Sequence, residues 1–213
     1  MKHINQNKLY LACFHNTSKK QAFARAIQAC EKINGEQITI SHVGIVFYNH
    51  IVCEWELFDA TLKKGVSLSS LEKRIDEYNG DIFYIELCDV EPYFVQINDF
   101  YLKNLGAKYY KLPLVAMELK SHNPFIQIPY SIINAVFDVI KPIYDSYAKL
   151  KHLVTKKDNA EFFCSELVVN LLNHLKLFLK YNMQPENETT PQDLYKVFVK
   201  NGHKVIKRIV IKS

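Results

Sequence analysis

The fold of this chain is decided by a stretch in which residues 41–47 read SHVGIVF. It lies inside the first of two β-rich runs, Ile38 to Phe47 and Ile51 to Ala60, which are separated by a short polar break. Two such runs around a tight break are typical of an antiparallel hairpin. We therefore predict a hairpin closed by a two-residue turn at positions 49–50.

The remaining patterns predict a mixture of strands and helices. Strands are expected at 9–14, 81–87, 109–114 and 204–211, and helices at 18–33, 67–78, 91–105, 131–140, 161–181 and 191–201. A polar loop is expected at 184–191. This order predicts an α+β fold, with a central antiparallel sheet packed against the long helix that follows position 161.

Length and composition favour a single globular domain over positions 1–213. A chain of 213 residues can bury one full core but would divide poorly into two. The net charge of +5 comes from 27 basic and 22 acidic residues that are scattered along most of the chain. A dedicated nucleic-acid surface would show clustered basic residues, so we expect no nucleic-acid partner, although loose contact with an anionic membrane surface is compatible with the charge.

The cysteines and the apolar segments predict a cytoplasmic protein without a transmembrane segment. The N-terminal residues are polar, and the longest apolar window, Pro124 to Ile143, is broken by polar residues and prolines. An odd number of cysteines without C-x-x-C spacing favours reduced thiols and disfavours a zinc site. The five cysteines are Cys13, Cys30, Cys53, Cys88 and Cys164.

Cys164 is the candidate nucleophile. It lies in FFCSEL at 162–167, where a polar pair is followed by an apolar helical face. A helix start favours the thiolate, and the N–H of the cysteine is available there to an oxyanion. On position alone, a small buried helix residue is an equally good interpretation. Glu166 is better explained as an acid favoured by the helix dipole than as a catalytic group.

His42 is the candidate base that would take the thiol proton. A single histidine on a strand is more often structural than catalytic. Gly44, however, lies on the same strand face, where the absence of a side chain would let another element, such as the cysteine helix, approach closely. This pairing favours a catalytic role for His42.

The third group must accept a hydrogen bond from the other imidazole nitrogen. In the predicted hairpin His42 lies opposite Leu57, which places Asp59 diagonally on the same face. Glu54 and Glu56 would point to the other face, although a register shift of one residue would reverse this. We therefore choose Asp59, keep Glu56 in reserve, and interpret Glu54 as part of a solvated face.

Several short motifs together resemble those of the circularly permuted papain-like proteins related to NlpC-type cell-wall peptidases, especially amidases of the YaeF/YiiX type. The matching segments are SHVGIV at 41–46, DA at 59–60, LGAKYY at 105–110, FCSELV at 163–168 and TPQDL at 190–194. The resemblance implies a permuted papain-like fold, Cys164 as nucleophile and His42 as base, with no metal and no organic cofactor.

The chain also departs from that pattern. The family usually has Glu at the position of Asp59 and Asp at the position of Lys111, and its first strand usually opens with Gly-Asp, whereas Leu9 to Phe14 stands here. Positions 115–158 are longer than the family requires. Their aromatic and aliphatic residues are as compatible with a helical lid or pocket wall as with simple core packing.

Three functions are compatible with these residues. The first is a cysteine amidase or peptidase acting on a peptide, another amide or an ester. The second is a lipid acyltransferase or phospholipase of the lecithin retinol acyltransferase type, whose pattern places a second histidine near the position of Asp59. The third is a ligand-binding module without turnover. The sequence alone names neither the substrate nor the oligomeric state.

Overall fold

A computed structural model describes residues 4–16, 38–61, 63–109, 161–177 and 189–210. Within these ranges the chain is α+β, with a six-stranded antiparallel sheet and four α-helices. Several predicted features lie outside the described residues. They are the helices at 18–33 and 131–140, the 115–158 insertion, and most of the strand at 109–114 and of the loop at 184–191.

The elements are numbered in chain order. The strands are β1 (Lys8–Asn16), β2 (His42–Asn49), β3 (Glu54–Thr61), β4 (Gly65–Ser70), β5 (Gly80–Asp89), β6 (Lys108–Tyr109), β7 (Glu161–Phe162) and β8 (Val205–Val210). The helices are α1 (Leu71–Glu77), α2 (Phe94–Asn104), α3 (Cys164–His174) and α4 (Pro191–Lys200), and a 3-10 turn (Glu91–Tyr93) precedes α2. None of these helices is long and apolar enough to span a bilayer.

The six strands of the large sheet follow the order β4-β3-β2-β1-β5-β8. β1 lies inside the sheet, and every residue from Leu9 to Phe14 has no exposed surface. This burial on both faces explains why its sequence, LYLACF, is apolar throughout and does not alternate. The two short strands β6 and β7 pair in parallel as a separate ladder.

The two faces of the large sheet carry separate cores. On the first, here called the α3 face, Val43, Ile45 and other core residues belong to one cluster with the apolar side of α3. On the second, the α1 face, Phe14, Val46 and Leu57 belong to a cluster with the apolar side of α1. The packing of the cysteine-bearing helix on a central antiparallel sheet is therefore present, as the sequence predicted.

The helix predicted at 67–78 is wrong in its first half. Residues 65–70 form β4, with Val66 buried in the α3-face cluster and Ser67 opposite Asp59 on the neighbouring strand. Ser70 then caps α1, because its side-chain oxygen accepts a hydrogen bond from the backbone N–H of Lys73. An alternating strand runs directly into a capped helix here. The two-residue hydrophobic period of the strand is therefore not separated in the sequence from the 3.6-residue period of the helix.

The predicted two-residue hairpin turn is also wrong. Tyr48 pairs with Trp55 and Asn49 with Glu54, so positions 50–53 form a four-residue loop. The side-chain oxygen of Asn49 accepts a hydrogen bond from the backbone N–H of Ile51 at 3.0 Å, which starts the reversal as an Asx turn. Cys53 completes the reversal with a positive φ of 53°.

Other boundaries differ by a few residues from the prediction. The long helix predicted at 161–181 begins at Cys164, because residues 161–162 pair with β6 instead, and it already ends at His174. The strands predicted at 9–14, 81–87 and 204–211 and the helices predicted at 91–105 and 191–201 are present. Cys164 is therefore the first residue of its helix, and not merely a residue of the first turn.

The packing of α3 on the sheet gives a test of the core. Leu171→Ala removes a side chain with no exposed surface, and we expect it to lower the free energy of unfolding by about 2–5 kcal/mol through lost burial and the cavity left behind. Leu102→Ala, at a helical position that is 68% exposed, is the matched control and should change it by less than about 0.5 kcal/mol. Urea unfolding measures both, and equal losses would contradict this core.

Candidate active site

His42 is the first residue of β2 and lies at the end of the sheet. It pairs with Phe14 of β1, and the two rings pack with their centroids 5.2 Å apart. Its side chain is about 15% exposed. The backbone N–H of Ser41 donates to the carbonyl oxygen of Phe14 at 3.0 Å. The start of β2, and with it the imidazole, is thereby fixed against β1.

Asp59 is the hydrogen-bond partner of His42. The distance from His42 Nε2 to Asp59 Oδ2 is 2.8 Å, and Asp59 is only 2% exposed. An ionised carboxylate can only accept, so Nε2 must carry the proton of this bond. In the neutral ring Nδ1 then holds the free lone pair, which is the tautomer that a general base requires.

The placement of Asp59 on the face of His42 agrees with the prediction, although the predicted register does not. In the structure Asp59 pairs with Gly44, a shift of four residues from the expected pairing of His42 with Leu57. Side chains alternate between faces with a period of two, so an even shift leaves each residue on its expected face. Asp59 is therefore diagonal to His42 from the opposite direction.

Gly44 makes room for this arrangement in a way that differs from the prediction. A Cβ atom at Gly44 would lie 2.7 Å from Leu57 Cδ1 and 3.0 Å from Asp59 Cβ, so the close approach is that of β3. The cysteine helix packs on the other face of the sheet. The missing side chain thus lets Asp59 lean across β2 towards the imidazole.

Cys164 approaches His42 from the other side of the ring. Its side chain is fully buried and belongs to the α3-face cluster, whereas His42 projects from the α1 face. The thiol and the imidazole are nevertheless hydrogen-bonded. Because Nε2 is bonded to Asp59, Nδ1 is the nitrogen left to bond the thiol. The two groups meet where β2 begins and α3 begins.

The electrostatics of the site favour a charged imidazole. Burial by itself lowers the pKa of His42, but attraction to Cys164, hydrogen bonds to Asp59 and Cys164, and attraction to Asp59 raise that pKa from 6.5 to about 9. The ring therefore holds its second proton at neutral pH. An imidazolium beside a thiol at a helix start is the environment that stabilises a thiolate.

The three glutamates weighed in the sequence lie elsewhere or have other partners. Glu54 is exposed and pairs with Asn49, and Glu56 accepts a hydrogen bond from the side-chain nitrogen of Asn49 at 3.0 Å. Both lie on the face opposite to Asp59, as predicted. Glu166 accepts a hydrogen bond from the backbone N–H of Phe163 at 3.4 Å, which is a capping contact at the start of α3.

Two further residues near the site were not identified from the sequence. Gln192, in the TPQDL segment, bonds to the backbone just before β2 through both ends of its amide. Ser165 donates from its hydroxyl to the carbonyl oxygen of Thr189 at 2.6 Å. The TPQDL match was the available signal, but a motif by itself does not say which atoms it holds.

A scan of the chain against protein-family models and a search of curated proteins both found no match. The function must accordingly be argued from the side chains that the fold brings together. Within the described ranges, no group of three or more His, Cys, Asp or Glu residues is placed to hold a metal ion.

The space above Gly44 gives a second test. Gly44→Ala should push β3 away from β2 and weaken the bond between Asp59 and His42, at a cost of about 1–3 kcal/mol in the free energy of unfolding. We also expect the pKa of His42, followed by NMR, to fall. Adding Leu57→Val removes the closest carbon atom, so part of the stability should return while the pKa stays low. An unchanged pKa in Gly44→Ala would contradict this role of the glycine.

The charge on His42 gives a third test. We expect its ring resonances to titrate near pH 9, because the proton is retained until the pH rises through the raised pKa. Cys164→Ser removes the thiolate, and Asp59→Asn removes the negative charge while keeping an oxygen acceptor, so each should lower that pKa. A wild-type pKa near 6.5 would contradict the geometry.

Proposed function

We propose that this protein is a cysteine hydrolase that cleaves an amide or an ester through an acyl-thioester on Cys164. The observation that carries the proposal is the continuous contact from Asp59 Oδ2 through the imidazole of His42 to the thiol of Cys164. A nucleophile, a base and a group that orients the base are the three parts that covalent acyl transfer needs.

The acylation step uses the two nitrogens of His42 differently. In the resting enzyme Nδ1 already holds the proton of the thiol, and the thiolate sulfur of Cys164 attacks the carbonyl carbon of the substrate. The tetrahedral intermediate collapses when the carbon–nitrogen or carbon–oxygen bond breaks. The imidazolium returns its proton from Nδ1 to the leaving amine or alcohol, while Nε2 keeps its bond to Asp59.

The deacylation step repeats the proton transfers with water. Nδ1 takes a proton from the water, whose oxygen attacks the thioester carbon. The carbon–sulfur bond then breaks, the carboxylic acid leaves, and the proton on His42 faces the thiolate again. The oxyanion in both steps would accept a hydrogen bond from the backbone N–H of Cys164, since first-turn N–H groups point out of a helix start.

A permuted papain-like architecture is part of the proposal. Three motifs support it in the order in which they occur: the His42 strand, the Asp59 strand and then the Cys164 helix. The antiparallel sheet and the position of Cys164 as the first residue of α3 are compatible with it.

Substrate binding has to uncover the nucleophile. Cys164 has no exposed surface and Asp59 is 2% exposed, whereas about 15% of the His42 side chain is exposed. A carbonyl carbon must come within bonding distance of the sulfur, so the atoms that cover it must move when substrate enters. The buried site in turn strengthens each hydrogen bond and charge interaction within it.

Hydrolysis is preferred to the two other functions for specific reasons. The lecithin retinol acyltransferase pattern needs a second histidine near Asp59, and here the acid itself is bonded to His42. The apolar residues of 115–158, which would favour a lipid substrate, lie outside the described residues. A binding module without turnover would have no need of a base and a thiol in contact.

Thiolate formation provides the main test of this function. We expect the ultraviolet absorbance of a thiolate near neutral pH in the wild type, lost in Cys164→Ser and strongly reduced in His42→Ala. Iodoacetamide at about pH 6 should modify Cys164 faster than the exposed Cys53, because the thiolate is the reactive form and the imidazolium of His42 lies beside Cys164. Peptide mass mapping reads both sites in one sample, so Cys53 is the internal control.

The outcomes separate the functions. Absence of the thiolate signal would refute the proposed pair of Cys164 and His42. A thiolate that neither reacts with iodoacetamide nor gains an acyl mass from either substrate below would favour the binding module. For the substrate class, the wild type is incubated with a peptide amide and with a lipid ester, and the acyl mass on Cys164 shows which one reacts. Transfer to an added alcohol at the expense of hydrolysis would favour the acyltransferase.

A further inference from the structure

We propose that Gln192 is a positioning residue that fixes the distance between the sulfur of Cys164 and the imidazole of His42, with Ser165 as its counterpart on the cysteine helix. The inference rests on the proposed function, because it assigns a role within that reaction. Neither residue contacts the reacting atoms in this assignment. Both act through the backbone segments that carry the thiol and the base.

The first contact holds the segment that leads into His42. Gln192 Oε1 accepts a hydrogen bond from the backbone N–H of Ile40 at 2.8 Å, and Gln192 Nε2 donates to the carbonyl oxygen of Ile38 at 3.0 Å. The side chain is 1% exposed. One amide thus bonds two backbone groups of an extended segment, as a neighbouring strand would, just two residues before His42.

The second contact holds the start of the cysteine helix. Ser165, which directly follows Cys164, donates from Oγ to the carbonyl oxygen of Thr189 at 2.6 Å. Both residues are fully buried. A short hydrogen bond without competing water has a well-defined length, so it fixes the first turn of α3 relative to Thr189.

The residues between these two contacts are rigid. Thr190 and Asp193 form a capping box, in which the Asp193 N–H donates to Thr190 Oγ1 at 3.1 Å and the Thr190 N–H donates to Asp193 Oδ2 at 3.0 Å. Pro191 occupies the first turn of α4 and restricts φ there. The segment 189–192 therefore holds Gln192 at a fixed position relative to Ser165.

This connection matters because the thiol and the imidazole come from opposite faces of the sheet. Their separation depends on how α3 sits relative to the start of β2, and apolar packing alone tolerates small shifts. A misplacement of about 1 Å in an active site can cost on the order of a hundredfold in rate. The alternative is that Gln192 only satisfies two buried backbone groups, in which case its loss would affect stability and not reactivity.

Two substitutions of Gln192 test the inference. Gln192→Met keeps a similar volume but loses both hydrogen bonds, and we expect alkylation of Cys164 to slow by about ten- to a hundredfold. The effect of Gln192→Glu on the alkylation rate should depend on pH. A protonated carboxyl group can donate to Ile38 and accept from Ile40, whereas a carboxylate has no donor. The rate of Gln192→Glu relative to the wild type should therefore rise as the pH is lowered.

Phe198→Leu is the matched control, because Phe198 is a buried residue of the same helix whose ring packs against His203 and whose side chain has no polar atom to bond the 38–41 backbone. It should lose stability to urea while Cys164 reacts at the wild-type rate. Ser165→Ala should slow alkylation as Gln192→Met does, and it keeps the test valid if one variant folds poorly. NMR of the His42 ring, read in the same proteins, should show a lower pKa in Gln192→Met and no change in Phe198→Leu.

The outcomes distinguish this inference from the proposed function. A wild type without a His42-dependent thiolate refutes the function, and the His42 pKa in Gln192→Met still tests the positioning. If the wild-type thiol is reactive while Gln192→Met matches Phe198→Leu in rate and in pKa, the function stands and the inference fails. A pH-independent ratio for Gln192→Glu would also overturn it.

Discussion

The pairing of β2 with β3 is the constraint on which the rest of the site depends. It places Gly44 opposite Asp59, and the absent side chain of Gly44 lets the carboxylate reach His42 at 2.8 Å. A slip of one residue would turn Asp59 to the other face of the sheet. His42 would then lack the carboxylate that fixes its tautomer and favours its charged form.

Burial makes the three polar groups interdependent. A buried charge is costly unless it is paired, and here the imidazole lies between an acid and a thiol. Burial lowers the pKa of His42, yet its two partners raise that pKa to about 9. The charged form of the imidazole thus depends on both partners being in place, which couples the chemistry of the site to the correct packing of α3 on the sheet.

The sequence predicted much of this site, partly for the wrong reason. The two-residue turn that the sequence predicts is absent, yet Asp59 lies on the predicted face because the true register differs by four residues. The sequence pattern predicts a helix from the serines of β4 onwards, because a strand and a capped helix follow each other there without a break. Local patterns fix the face of a residue more reliably than its partner.

The sequence by itself determined the residue types, their chemistry and the alternation that puts His42 and Asp59 on one face. Only the tertiary structure decided which imidazole nitrogen meets which partner, that β3 and not the cysteine helix fills the space over Gly44, and that Gln192 joins the two halves of the site. The physical reason is the sequence separation over which each property is set. Side-chain alternation is a local property of the backbone, whereas register and helix position are set by packing between segments far apart in the chain.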